Sequence, residues 1–266
     1  VYVLDPPARD ELGLLYSFAS GYHAELADDG SPESRLHRAR AAASLEIVRR
    51  HHGPGRLLDV GCSAGFFLAC ALAAGWEAQG VELSDDAAEL ARRRGLDVVT
   101  GTIELAELAP RSFDVVTMWD VLEHVEDPLA TLRQAAELLG DGGLLFVSTP
   151  NVDGLFPRFS YRLARLAGRW PHPEPPRHLF QFSKATLGRF LREAGFETIE
   201  TIDRRIPLGY TFGRLRDLLR APGELAYATA FAPLAVVGPL LHAGDEMVVV
   251  ARIRRDAATR PSSPTG

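Results

Sequence analysis

Cysteine is scarce in this 266-residue chain. Cys62 and Cys70 are the only two, and their spacing fits neither a metal-ligand pattern nor a disulfide framework. A disulfide-stapled secreted domain is therefore excluded, and a reducing, cytoplasmic setting is the expectation. Excess positive charge is missing too. The net charge is −6, which argues against a protein built to grip a nucleic-acid backbone. No signal-peptide pattern opens the sequence, because Val1-Tyr2-Val3-Leu4 runs at once into Asp5-Pro6-Pro7. Long apolar runs are absent but for one. Residues 225–243 carry no formal charge, yet Pro233, Gly238 and Pro239 interrupt them. That stretch reads as a core, lid or interface segment, with membrane contact as the lesser alternative. No internal repeat is visible. What remains is ordinary for a globular protein: 46% apolar and 24% charged residues, enough to bury a sizeable core.

Strand and helix patterns alternate along the chain. Helices are expected over 10–18 and 33–51, then a short apolar strand over 56–60 that stops at Gly61. A helix over 64–74 follows, halted by Gly75, and then a strand over 76–81. Ser84 caps a helix to residue 94, with Asp85 and Asp86 where acids suit the helix dipole. Strands follow over 96–100 and 113–118, and Pro128 opens a helix to 139. Strand 144–148, helix 183–194 and strands 196–202 and 246–253 complete the pattern. The alternation predicts an α/β fold: a seven-stranded, mostly parallel sheet with helices on both faces. The expected organisation is an N-terminal helical cap over 1–54 and a main domain over 55–255. Insertions over 151–177 and 204–243 read as lids, and 256–266 as a disordered tail.

The most informative segment is Leu57-Leu58-Asp59-Val60-Gly61-Cys62-Ser63-Ala64-Gly65. A strand turns sharply into a helix, and Gly61 lets the backbone approach a ligand. A pyrophosphate-binding loop would read Gly-x-Gly-x-x-Gly, but Ser63 and Phe66 occupy its second and third glycine positions. A ligand without a pyrophosphate is preferred. Glu82 ends the second strand, where a carboxylate accepts both hydroxyls of an unphosphorylated ribose.

Those residues resemble class I S-adenosylmethionine-dependent methyltransferases. Leu57 to Gly65 resembles the first motif of that family and Val81-Glu82-Leu83-Ser84 the second. Phe113 to Val116, with Asp120-Val121-Leu122-Glu123-His124-Val125, resembles the fourth strand and its turn. Leu139 to Gly143, Pro150-Asn151 and Pro176-Arg177-His178-Leu179-Phe180 point to the ubiquinone-methyltransferase-like branch. The resemblance covers 56–202 and implies a Rossmann-like fold whose last strand is antiparallel. It implies that Asp59, Gly61, Cys62, Ser63 and Gly65 surround the methionine part of S-adenosylmethionine. Glu82 would hold the ribose and Leu83 the adenine. Thr102 and Ile103 stand where many relatives carry an acid or amide that reads the adenine. Met118, Trp119 and Asp120 would end strand four beside the sulfonium.

Methyl transfer to oxygen or nitrogen calls for a general base, and histidine is the usual choice. His178 and His124 are the catalytic candidates. Asp120, Glu123 and His124 could also hold Mg2+, as the resemblance to metal-assisted ubiquinone-pathway enzymes suggests. The reading taken is a turn decorated with acids, and no metal ligand is assigned. Phe156, Phe159, Tyr161, Trp170, Phe180 and Phe182 could line an acceptor pocket or pack together as a small core. Arg158, Arg162, Arg165 and Arg169 recur at helical spacing, as an anion-binding face or a solvated one. The resulting expectation is O-methylation of a small molecule, in a natural-product or surface-sugar pathway. Two other readings stay open: a nicotinamide-dependent oxidoreductase, and a non-catalytic methyltransferase-like subunit.

Overall fold

The computed structural model describes residues 31–167, 178–213 and 215–254. The expected helix over 10–18, the tail over 256–266, and Arg169 and Trp170 lie outside the described residues.

Seven strands form one sheet: β1 (Arg56–Val60), β2 (Glu77–Glu82), β3 (Val98–Thr100), β4 (Phe113–Trp119), β5 (Leu139–Pro150), β6 (Phe196–Arg204) and β7 (Glu246–Ile253). Their order is β3-β2-β1-β4-β5-β7-β6. β1 pairs in parallel with β2 and β4, whereas β7 is antiparallel to both β5 and β6. The chain thus runs outward in one direction from β1 and in the other from β4. The crevice outside the carboxyl ends of β1 and β4 is where such sheets take ligands.

Side chains along the strands alternate between the two faces of the sheet, and both faces are buried. Leu57, Val115, Phe146 and Val250 pack under α1 (Pro32–His51), α2 (Phe66–Ala73) and α3 (Asp85–Arg93). Leu58, Val116, Leu145 and Val249 pack on the other face, under α4 (Pro128–Leu138) and α6 (Lys184–Glu193). With both faces covered, the central strands are almost wholly apolar. Side-chain caps start several of the helices. Ser31 accepts the Ser34 amide, Ser84 that of Ala87, and Asp127 those of Leu129 and Ala130. The fifth strand is longer than expected. It begins at Leu139, directly after α4, and reaches Pro150 by pairing with Glu246 of β7.

The two insertions meet. Between them they contribute α5 (Leu155–Ala167), α7 (Leu208–Phe212), α8 (Leu215–Leu218) and α9 (Pro222–Val237), the last followed by a 3-10 turn, Gly238–Leu241. Phe156, Phe212, Phe231 and Ala235 bury one another in a third, small core.

Gly65 explains the tight β1–α2 turn. Its φ is +81°, and a Cβ there would collide with the buried Leu96 side chain and crowd Ala91. Gly65→Ala therefore combines a left-handed backbone cost with overpacking, together about 2–3 kcal/mol. A thermal melt should drop by roughly 5–10 °C. An unchanged midpoint would show that the turn relaxes freely.

Candidate functional site

The β1–α2 loop is tied to the end of β2. The amides of Gly61 and Cys62 donate to the Val81 carbonyl at 2.7 and 3.1 Å. Gly61 (φ +69°) and Ser63 (φ +50°) are both left-handed, which makes the bend tight. The Ser63 amide donates to Glu82 Oε2 at 2.7 Å, and the Ser84 amide to Glu82 Oε1 at 2.8 Å. The bend and the carboxylate expected to share a ligand are thus in direct contact. They stand on the wall of a cavity of about 710 Å³ at the β1/β4 crevice, a size suited to a small molecule.

Of the expected cofactor residues, Asp59, Gly61, Cys62, Ser63, Glu82 and Leu83 line this cavity from the β1 and β2 side. Thr102, Ile103, Trp119 and Asp120 line it from β3 and β4. Gly65 and Met118 do not. Gly65 supports the helix from behind, against Leu96 and Ala91. Met118 is fully buried with Leu58 and Val116, because strand alternation sends it to one face of the sheet and Trp119 to the other. Both are corrections to the expected contact set.

Several wall residues were not anticipated. His37, Arg40 and Ser44 come from α1, Tyr210 from α7 and Glu246 from β7. Arg40 bridges Asp120 at 3.1 Å and Glu246 at 3.2 Å. Asp120 is left-handed (φ +55°), and it is held by the Ser148 hydroxyl, which donates to its Oδ1 at 2.8 Å. In an arginine-rich amphipathic helix, nothing in the sequence separates Arg40 from its solvated neighbours.

The site is a buried-acid environment. Burial pushes Asp59 up to about 7, aided by the charge of Glu82 and opposed by the hydroxyl of Thr117, which donates at 2.7 Å. Burial also raises Glu82, against the amides of Ser84 and Ser63. Glu246 is raised to about 7 by burial and the Asp120 charge, with Arg40 opposing. The Cys62 thiol is pushed well up by burial and is no nucleophile.

Residues 33–201 match the methyltransferase domain family. The chain belongs to that family. Among its relatives, the ubiquinone biosynthesis O-methyltransferase of Nitrosospira multiformis is 34% identical over 187 residues, 66% of this chain and 77% of the relative. The enzyme of that description from Xanthomonas campestris pv. campestris is 36% identical over 132 residues, 47% of this chain and 55% of the relative. Solved structures share the fold. A SAM-dependent methyltransferase from Archaeoglobus fulgidus matches with a TM-score of 0.55 at 18% identity, covering 81% of this chain and 94% of that one. The Burkholderia thailandensis 1,6-didemethyltoxoflavin-N1-methyltransferase, bound to S-adenosylhomocysteine, matches with a TM-score of 0.57 at 18% identity, covering 96% and 95%. The methyltransferase uses S-adenosylmethionine, and the nicotinamide alternative falls.

The donor set fits that cofactor. Beyond the amides it already accepts, the Glu82 carboxylate keeps lone pairs for hydroxyl donors. The hydroxyl of Thr102 and the indole N–H of Trp119 are buried without hydrogen-bond partners in the same wall.

A second cavity in the methyltransferase, of about 700 Å³, lies between the end of β5 and the helices of the two insertions. Phe156, Leu163, Phe180, Phe212 and Tyr227 give it an apolar lining. Thr149 adds a hydroxyl, and Gln181 and Asp245 each add a polar atom that is buried without a partner. Burial raises Asp245 to about 6. Tyr210 lines both cavities.

The two candidate histidines meet where the cavities adjoin. His124 lines the first and His178 the second, with ring centroids 4.8 Å apart and the ring planes at 65°. The Glu123 carbonyl accepts the amides of Leu179 and Phe180, which anchors His178 beside the β4 turn. The Glu123 carboxyl is buried, and burial, with the Asp120 charge, holds its pKa well above the carboxylate range against the Thr149 hydroxyl. The trio Asp120, Glu123 and His124, weighed above as a metal site and not assigned, is not the one brought together. Arg40 and Ser148 engage Asp120, and His178 takes its place beside Glu123 and His124, with ligand atoms within 4.8 Å of one another. Two imidazoles and one carboxyl do not fit Mg2+, which takes oxygen ligands.

Arg158 and Arg162 are exposed and do not line the second cavity, so they do not form an anion site within it.

Proposed function

We propose that this methyltransferase transfers a methyl group to a hydroxyl of a small molecule seated in the second cavity. In this reading Glu82 accepts the ribose hydroxyls. Leu83, Thr102 and Ile103 meet the adenine, with the unpartnered Thr102 hydroxyl standing in for the absent acid or amide. Asp59, the 61–63 loop and Arg40 hold the amino-acid end, carboxylate to arginine and ammonium to aspartate. S-adenosylmethionine supplies a methyl group on a sulfonium that leaves as a neutral thioether, so no protein nucleophile is needed. The chain's own work is to align an acceptor, remove its proton and keep water out. His178 receives the hydroxyl proton as the oxygen–carbon bond forms, and His124 orients it from the cofactor side. The helices α5, α7 and α9 act as the cap over the acceptor.

The observation that carries the reading is the hydrogen bond between Glu82 and the Ser63 amide, on the wall of a cavity that reaches the histidine pair. Transfer to oxygen is supported by that pair and by the names of the O-methyltransferase relatives. A natural-product or surface-sugar pathway remains the proposed setting, in the cytoplasm. Incubation with methyl-labelled cofactor and panels of phenols, sugars and amines is the test. Label on oxygen supports the reading; label only on nitrogen or carbon overturns the oxygen assignment.

The raised Asp59 makes cofactor affinity pH-dependent. Free Asp59 is half protonated near pH 7, and an ammonium seated beside it favours the ionised form. Binding therefore releases a proton, and affinity rises with pH through 7 and levels off above. Between pH 8 and pH 6 the affinity for S-adenosylhomocysteine should fall about tenfold. Asp59→Asn should flatten the slope in calorimetric titrations. If the slope persists in that variant, Asp59 is not the group that titrates.

A further inference from the structure

We propose that the outer faces of α5 and α9 form a surface that docks onto an anionic lipid bilayer. The starting observation is a mismatch between hydropathy and burial. The helical stretch Pro222–Leu241 is long and apolar enough to cross a membrane, yet only 22% of its most apolar window is buried inside the protein. A helix that is apolar all round is normally enclosed on every side. Here Ala228, Phe231 and Ala235 pack inward onto Phe156 and Phe212, while Ala226, Ala230, Pro233 and Val237 face out at helical spacing. Leu240 is 79% exposed and Leu241 61% exposed at the end of the same stretch. No Asp, Glu, Lys or Arg occurs from 225 to 243. The inward contacts and Pro233 argue that the helix does not span. It lies on the surface with one side committed to the protein.

The neighbouring helix identifies the partner. α5 packs against α9, and its exposed residues mix Phe159, Tyr161 and Leu163 with Arg158 and Arg162. The Arg162 guanidinium sits over the Phe159 ring, 5.6 Å from its centroid. The sequence of α5 holds a third arginine, Arg165, and no acid. Aromatic and aliphatic side chains interleaved with arginine are the composition of helices that lie in the interface of anionic membranes. The second cavity opens on this side, since Leu163 both lines it and is half exposed. An amphiphile held in the bilayer would thus have a short path into the protein.

The test is co-sedimentation of the full chain with vesicles of phosphatidylcholine alone and of phosphatidylcholine mixed with phosphatidylglycerol. Wild type should bind the mixed vesicles at least about tenfold better than the neutral ones, and added salt should release it. Leu240→Asp/Leu241→Asp and Arg158→Glu/Arg162→Glu should each lose about tenfold in partitioning. Both variants should keep wild-type affinity for S-adenosylhomocysteine, which separates lost docking from lost fold. Absence of wild-type binding to mixed vesicles would overturn the proposal. So would equal binding to both vesicle types, or a stable dimer in sedimentation equilibrium that the leucine pair variant splits, since a second copy would then cover the face. None of these outcomes depends on which acceptor is methylated.

Discussion

Glu82→Ala is expected to weaken S-adenosylhomocysteine binding about a hundredfold or more. Two ribose hydroxyls donating to one buried carboxylate make charge-assisted hydrogen bonds, each contributing about 1.5–3 kcal/mol. Their joint loss of about 3 kcal/mol or more corresponds to at least two decades in affinity. The substitution also removes the acceptor for the Ser63 and Ser84 amides, so part of the effect comes from a loosened loop. Glu82→Gln separates the two contributions. It keeps the volume and one acceptor oxygen, and its loss should be nearer tenfold. Calorimetry alongside a thermal melt distinguishes weakened binding from unfolding. A Glu82→Ala affinity within twofold of wild type would remove this carboxylate from the site.

His178→Ala should lower kcat by about 10²–10⁴-fold while leaving S-adenosylhomocysteine affinity unchanged, because His178 faces the acceptor cavity alone. His124 lines the cofactor cavity, so His124→Ala should change KM for the cofactor as well as kcat. If instead the variant lost stability and kept its kcat, His178 would be a packing residue. The two side chains lie far apart in the chain, and the Glu123 carbonyl, through the Leu179 and Phe180 amides, helps to draw them together.

The sheet was largely legible because its physics is local. β1 and β7 appear at the predicted residues, since a short apolar run bounded by Gly61, or by Asp245 and Arg254, leaves little choice. Glu82 was legible by its place: an acid at the carboxyl end of the second parallel strand points to the crevice. Met118 was misplaced because the end of a strand was read without its alternation, and one residue decides the face. Gly65 entered the expected cofactor set only through the resemblance, and the structure shows it packed against Leu96 and Ala91. Arg40, Tyr210 and Glu246 reach the cavity through long-range packing of α1, α7 and β7. No local pattern marks such residues. The cap was legible only as a break in rhythm. Its helices pair through Phe156, Phe212 and Phe231, aromatics that lie far apart in the chain.

A crystal structure with S-adenosylhomocysteine soaked in tests the central claim most directly. Both ribose hydroxyls should lie within hydrogen-bond distance of the Glu82 carboxylate, with the adenine beside Thr102 and the amino-acid end at Asp59 and Arg40. A ligand elsewhere in the fold, or a ribose turned away from Glu82, would contradict the account.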